Sequence, residues 1–112
     1  MSRSTTEPEA LALKEYLDRN YNQKYDIEAL SKLIYKCPSQ AIRIFKKHYN
    51  VTPYTYHSSV RIREASRLLE TTDLPIKDIA FQLGYSDEHY FSASFKKQMG
   101  ITPSEFRRKS FL

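Results

Sequence analysis

Glycine is nearly absent from this 112-residue chain, which holds only Gly84 and Gly100. Two isolated glycines cannot build a glycine-rich phosphate loop, so nucleotide-cradling chemistry of that kind is excluded. Cysteine occurs once, as Cys37, which excludes an internal disulfide and fits a reducing compartment. No apolar run approaches the roughly 18 residues that span a bilayer, and no signal peptide is expected. His48, His57 and His89, taken with Cys37, lack the spacing of a metal site. β-Branched alternation, the mark of strands, is missing as well. With 40% apolar residues the chain can close the helical core of one domain, or of two very small ones, but not a large enzyme cleft. No enzymatic activity, no cofactor and no membrane partner are expected.

Acidic residues are scarce in one part of the chain only. Residues 1–30 carry four basic and six acidic side chains, whereas residues 31–112 carry fourteen basic and seven acidic. The basic excess points to a polyanion as partner. Charge alone leaves open a basic domain that binds nothing anionic.

What is present is helical spacing. Thr6-Glu7-Pro8-Glu9 has the form of a capping box, followed by Leu13, Leu17 and Tyr21 on one face. Asp26 can cap a short helix with Ile27, Leu30, Leu33 and Ile34 aligned. Pro38 suits the first turn of a helix bearing Ala41, Ile44, Phe45 and His48. Thr52-Pro53 starts a long helix with Tyr56, Val60, Ala65, Leu68 and Leu69 on its apolar side. After a turn at 71–74, Pro75 leads a helix with Ile76, Ile79, Ala80 and Leu83. The stretch from Asp87 to Met99 aligns Phe91, Phe95 and Met99, and Thr102-Pro103-Ser104-Glu105 opens a last short helix with Phe106. The expected fold is all-α with seven helices. Residues 1–8 are expected to be a linker or disordered start, and 9–112 one domain.

The chain also repeats itself. FKKHYNVTP (Phe45–Pro53) returns as FKKQMGITP (Phe95–Pro103), an offset of 50. Upstream, Ile27, Leu30, Ser31 and Ile34 correspond to Ile76, Ile79, Ala80 and Leu83 at an offset of 49, so the second copy holds one extra residue between Gly84 and Phe91. Each copy reads as short helix, tight turn, longer helix, and an exit at Asn50 or Gly100, residues that tolerate the left-handed conformation. The repeated unit is a helix-turn-helix, at about 26–50 and 75–100, joined by a linker helix at about 53–71 and followed by a helix at about 103–109.

Duplicated helical pairs also serve as protein-interaction domains, so the outward face of each second helix decides. At 100° per residue, Ala41, Ile44, Phe45 and His48 turn inward, and Ser39, Arg43 and Lys46 outward, flanked by Ile42 and Lys47. In the second copy Phe91, Phe95, Ser94 and Gln98 turn inward, and His89, Ala93 and Lys96 outward. Neither outer arc shows the Glu–Lys pairs of a merely solvated face, and neither raises a bulky acidic barrier to a major groove. A linker helix of about 27 Å at ~1.5 Å per residue suits two recognition helices meeting grooves ~34 Å apart.

The stretch IKDIAFQLGYSDEHYFSASFKKQMGITPSEFR (Ile76–Arg107) resembles the signature of AraC/XylS-family transcription regulators. It holds Ile79-Ala80, Gly84-Tyr85, Tyr90-Phe91, Phe95-Lys96, Gly100-Ile101-Thr102-Pro103 and Phe106-Arg107. The first half is similar through Arg43, Phe45-Lys46, Thr52-Pro53, Tyr56, Arg61, Ala65 and Leu68-Leu69, and the resemblance covers the chain from about Ala10. It departs at Ala41, usually Leu, at Cys37, usually Ser, and at Ala93, often Arg. The resemblance implies two helix-turn-helix subdomains joined by a long helix, each placing a recognition helix in the major groove. It implies sequence-specific binding of a double-stranded DNA operator in transcription regulation in the bacterial cytoplasm, at the nucleoid, with RNA polymerase as a further partner.

Base contacts are expected from Ser39, Gln40, Ile42 and Arg43 in the first copy and from Glu88, His89, Tyr90 and Ala93 in the second. Arg43 can donate a bidentate pair to guanine, or else hold a phosphate or a surface carboxylate. Glu88 is either a cytosine acceptor or, preferably, a charge at a helix N-terminus. His89 meets a base or phosphate unless it is merely exposed, and Ala93 reaches at most a thymine methyl. Phosphate contacts are expected from Lys46, Lys47, Lys96, Lys97 and Arg107, with Arg108 and Lys109 nearby. Arg61, Arg63 and Arg67 either support helix contacts or, preferably, pair with Glu64, Glu70 or Asp73, and Cys37 is expected to pack at an N-cap. The domain alone is expected to be monomeric, with dimerisation open to the full-length protein. The polar SRSTTEP start resembles a linker and favours the C-terminal part of a larger effector-responsive regulator over a complete small one.

Overall fold

Two aspartates decide where the repeated helices begin. The Asp26 carboxylate accepts the backbone N–H groups of Glu28 (3.0 Å) and Ala29 (3.2 Å), and Asp87 accepts that of His89 (2.8 Å). Each satisfies donors that have no partner within the helix. The computed structural model describes residues 6–111. Its helices are α1 (Glu7–Arg19), α2 (Ile27–Leu33), α3 (Pro38–Tyr49), α4 (Pro53–Thr71), α5 (Ile76–Gln82), α6 (Glu88–Met99) and α7 (Pro103–Ser110). No strand occurs among the described residues, and the fold is all-α. The chain forms two compact units, Met1–Ser58 and Ser59–Leu112, with the boundary inside α4.

In the first unit α1 packs on α2 and α3. Leu13, Leu17, Leu30, Ile34, Ala41 and Phe45 make its core. The Phe45 ring lies 4.8 Å from Tyr49 and 5.6 Å from Tyr56. The Tyr56 hydroxyl donates to Asp18 (2.6 Å), whose other oxygen takes the Lys14 ammonium (3.3 Å). Buried His57 donates from Nε2 to the Gln23 carbonyl (3.0 Å), which fixes the tautomer because a carbonyl only accepts.

In the second unit α5 packs on α6 and α6 on α7. Ile79, Ala80, Leu83, Phe91 and Phe95 are buried with Ile62, Ala65 and Leu69 of α4. A row of rings runs from Tyr85 to Phe91 (5.1 Å), Phe95 (6.0 Å) and Phe106 (5.5 Å). Buried Arg61 lays its guanidinium over the Tyr85 ring at 4.8 Å, a cation–π contact that keeps the charge stabilised inside.

The two tight turns close with the same hydrogen bonds. Tyr35 donates to Lys32 and Lys36 to Ser31; forty-nine residues on, Gly84 donates to Phe81 and Tyr85 to Ala80. This is the Schellman pattern, which needs a left-handed residue after the helix. Gly84 supplies it at φ 96°, but the first unit uses Tyr35 at φ 58°, at a cost of about 1–2 kcal/mol for a residue with a side chain. The extra residue of the second copy lies in this turn, where Gly84, Tyr85 and Ser86 precede the cap instead of Tyr35 and Lys36.

Both longer helices end on a left-handed residue, Asn50 at φ 64° and Gly100 at φ 87°. A Cβ at Gly100 would meet nothing within 4 Å, so conformation alone selects glycine there. Both Thr-Pro restarts form. Thr52 accepts the Thr55 N–H (3.2 Å), and Thr102 and Glu105 make a reciprocal capping box (3.1 and 2.9 Å) that holds the Glu105 carboxyl below its ordinary pKa, chiefly through the Thr102 N–H.

Five local expectations are corrected. Thr6 does precede α1, but its hydroxyl bonds His48 Nε2 (2.8 Å) and caps nothing. Leu33 and Met99 are exposed although the helical spacing turned them inward, and so is Gln98. Helix α1 already includes Glu7 and Pro8, so only residues 1–5 of the expected linker lie outside the described residues.

Candidate nucleic-acid interface

Burial of Ala41 and Phe45 fixes the rotation of α3, and burial of Phe91 and Phe95 that of α6. On α3 this leaves Ser39, Gln40, Ile42, Arg43, Lys46 and Lys47 exposed. On α6 it leaves His89, Tyr90, Ala93, Lys96 and Lys97 exposed, with Glu88 half-buried in the first turn. Each group shares one helix face, as the helical spacing required. Glu88 and Asp87 sit where the helix dipole favours anions; the four lysines sit in or beside the last turn, where it favours cations.

The two faces differ in charge. No aspartate or glutamate occurs between Glu28 and Glu64, so α3 and its flanks are acid-free, whereas Asp78, Asp87 and Glu88 lie on or beside α5 and α6. That gap is visible in the sequence as a run without acids and leaves the surroundings of α3 more cationic than those of α6.

Two expected site residues are committed elsewhere. Arg107 spends three of its five N–H donors on backbone carbonyls. Its Nε donates to the Leu69 carbonyl (3.2 Å), one terminal nitrogen to Leu74 (2.7 Å) and the other to Thr72 (3.0 Å). It thereby satisfies carbonyls left open at the C-terminal end of α4 and in the turn after it. The Gln40 Oε1 accepts the Cys37 N–H (3.3 Å), a box that holds the start of α3, so its amide NH₂ is the group left for a ligand.

Cys37 is exposed rather than packed. Its thiol pKa is lowered, first by the Ser39 hydroxyl 3.4 Å away. Arg67 pairs with Glu64 (3.0 Å), one of the pairings expected of the linker-helix arginines.

An open cleft in the first unit is lined by Tyr16, Asn20, Gln23, Lys24, Tyr25 and Asp26. Its polar groups are largely spent on the fold. The Asn20 amide holds the Tyr16 carbonyl, Gln23 takes His57, and Asp26 caps α2. No helix among the described residues is long and apolar enough to cross a membrane.

A family model described as "Helix-turn-helix domain" matches residues 31–109. The chain is 36% identical over 98 residues to the bifunctional transcriptional activator/DNA repair enzyme AdaA of Bacillus subtilis, covering 88% of this chain and 46% of that protein. It is 32% identical over 90 residues to the arabinose operon regulatory protein of Escherichia coli, covering 80% and 31%. The chain thus spans less than half the length of these curated relatives. The solved C-terminal domain of AraT, a response regulator from Geobacillus stearothermophilus, superposes with a TM-score of 0.88 at 30% identity, covering 95% of this chain and 88% of that one. With its paired helix-turn-helix units and the signature that runs through Arg107, the chain belongs to the AraC-type helix-turn-helix family.

Proposed function

We propose that this chain is the DNA-binding domain of a bacterial transcription regulator and binds double-stranded DNA in a sequence-specific way, without catalysis of its own. One observation carries the reading. Within a helix-turn-helix, α3 offers an acid-free outer face with Arg43 between Ile42 and the lysines Lys46 and Lys47. Such a face can enter a major groove, with Arg43 reading guanine and the lysines holding phosphate. On α6 the same roles fall to Glu88, His89, Tyr90, Ala93, Lys96 and Lys97, and Ser39 and Gln40 extend the reading surface of α3. The 19 residues of α4, about 28 Å long at ~1.5 Å per residue, support engagement of successive major grooves by one chain. This domain would act as a monomer within a longer, effector-responsive protein that is open to dimerisation. It would work in the cytoplasm at the nucleoid, with RNA polymerase as a second partner.

The test is fluorescence anisotropy with the DNA upstream of its own gene against a scrambled duplex. Tighter binding of the upstream DNA is expected, and equal affinity would defeat sequence specificity. Arg43→Ala with His89→Ala should abolish that preference while the circular dichroism spectrum stays helical. A bidentate arginine–guanine pair alone is worth about 1–3 kcal/mol. A helical interaction domain would keep its DNA affinity, weak or not, through that change.

A further inference from the structure

The turn between α2 and α3 carries a side chain that the fold does not use. Tyr35 stands in the left-handed region at φ 58°, where the matching turn of the second unit has Gly84. The residue is 94% exposed, and among the described residues its backbone N–H bonds the Lys32 carbonyl. Backbone preference argues against an aromatic here and packing offers nothing in return. Strain of this kind that the surrounding contacts do not explain is a mark of function.

We propose that Tyr35 is a DNA-contacting residue whose phenol docks on the phosphate–sugar wall of the groove that α3 enters. This rests on the DNA reading above and extends it to a residue outside both helices. Tyr35 lies two residues before Cys37, the N-cap of α3. Recognition helices turn their N-terminal residues to the base edges, so the chain leading into that end runs beside the backbone of the groove. Tyrosine hydroxyls are regular phosphate partners. The charge around it fits the same occupant. Lys32 is exposed, Lys36 is held by Glu9 at 3.5 Å, and the acid-free run surrounds them both. On α2 and α3, Leu33 and Ile42 are the exposed large apolar side chains among the described residues, too little for a protein partner.

The test uses a duplex enriched by the unaltered protein from a random pool, with a scrambled control. Tyr35→Gly relieves the strain, so its melting temperature should rise while affinity for the enriched duplex falls about three- to tenfold, the range of one hydrogen-bonded contact. Tyr35→Asn tolerates the left-handed turn without the added freedom of glycine and should lose as much. The slope of log affinity against log salt should stay unchanged in both, since tyrosine carries no charge, while Lys32→Ala should flatten it. A residue serving only the fold would lose stability and affinity together. Either variant binding as tightly as the unaltered chain would overturn the assignment of Tyr35. Failure of the unaltered chain to enrich any duplex would instead bring down the DNA reading itself, and the Tyr35 contact with it.

Discussion

A guanidinium with three carbonyl partners is a different object from one waiting for a phosphate, and Arg107 is the former. Its planar fork reaches Leu69, Thr72 and Leu74 at 3.2, 3.0 and 2.7 Å. Lysine keeps the charge but not the fork geometry. Arg107→Lys is therefore expected to lower stability by about 2 kcal/mol, with part-buried carbonyls losing their donor, measured by urea unfolding. DNA affinity of the folded fraction should hold, because three of the five guanidinium N–H donors are spent on carbonyls of the fold. If Arg107→Lys instead weakened DNA binding at unchanged stability, the phosphate role would be restored. The aromatic–arginine pair at Phe106-Arg107 was legible in the sequence as a position of importance. Its partners were not, since they lie 33–38 residues upstream and no periodicity reports them.

At the scale of the helix, caps were the most legible features because they are local. Asp26 was readable as an N-cap from sequence, and it bonds two backbone donors. Asp26→Ala should cost about 1 kcal/mol, seen as a lower melting temperature. Thr6→Val should cost α1 no cap, because the Thr6 hydroxyl serves His48 instead; its loss should appear in the His48 ring environment by NMR. Thr6 was misread since a capping box needs only four residues to be suggested, while its competitor His48 lies 42 residues away. The inward faces of α3 and α6 were predicted through Phe45, Phe91 and Phe95, whose burial sets helix rotation. The rule failed at Leu33, Met99 and Gln98, each at or near the last turn of its helix. Angular position says which way a side chain points, but only a neighbouring element can cover it. The candidate reading faces of α3 and α6 follow from the same rotation, so they were legible to the extent that the core was. Tyr35 escaped because its signal lay in the repeat, as the residue standing where the second copy has Gly84.

For the whole molecule, the net charge of +5 conceals an acid-free middle from Ala29 to Arg63. Phosphate contacts should make binding steeply salt-dependent. Lys46→Ala with Lys47→Ala should flatten the slope of log affinity against log salt by about 2, near 0.9 per phosphate released. Affinity for specific and scrambled duplexes should fall alike in this variant. A slope equal to that of the unaltered chain would remove both lysines from the interface and leave them as favourable charges at the end of α3. The two units also differ in when they can be finished. The first has its core complete once Tyr56 has been made. The carbonyls that Arg107 holds are made 33–38 residues before it, a lag of roughly two to eight seconds at about 5–20 residues per second of synthesis. On the ribosome the first unit can close while the second still waits for its donor. During synthesis the clamp thus keeps the second unit unfinished until nearly the whole chain has been made.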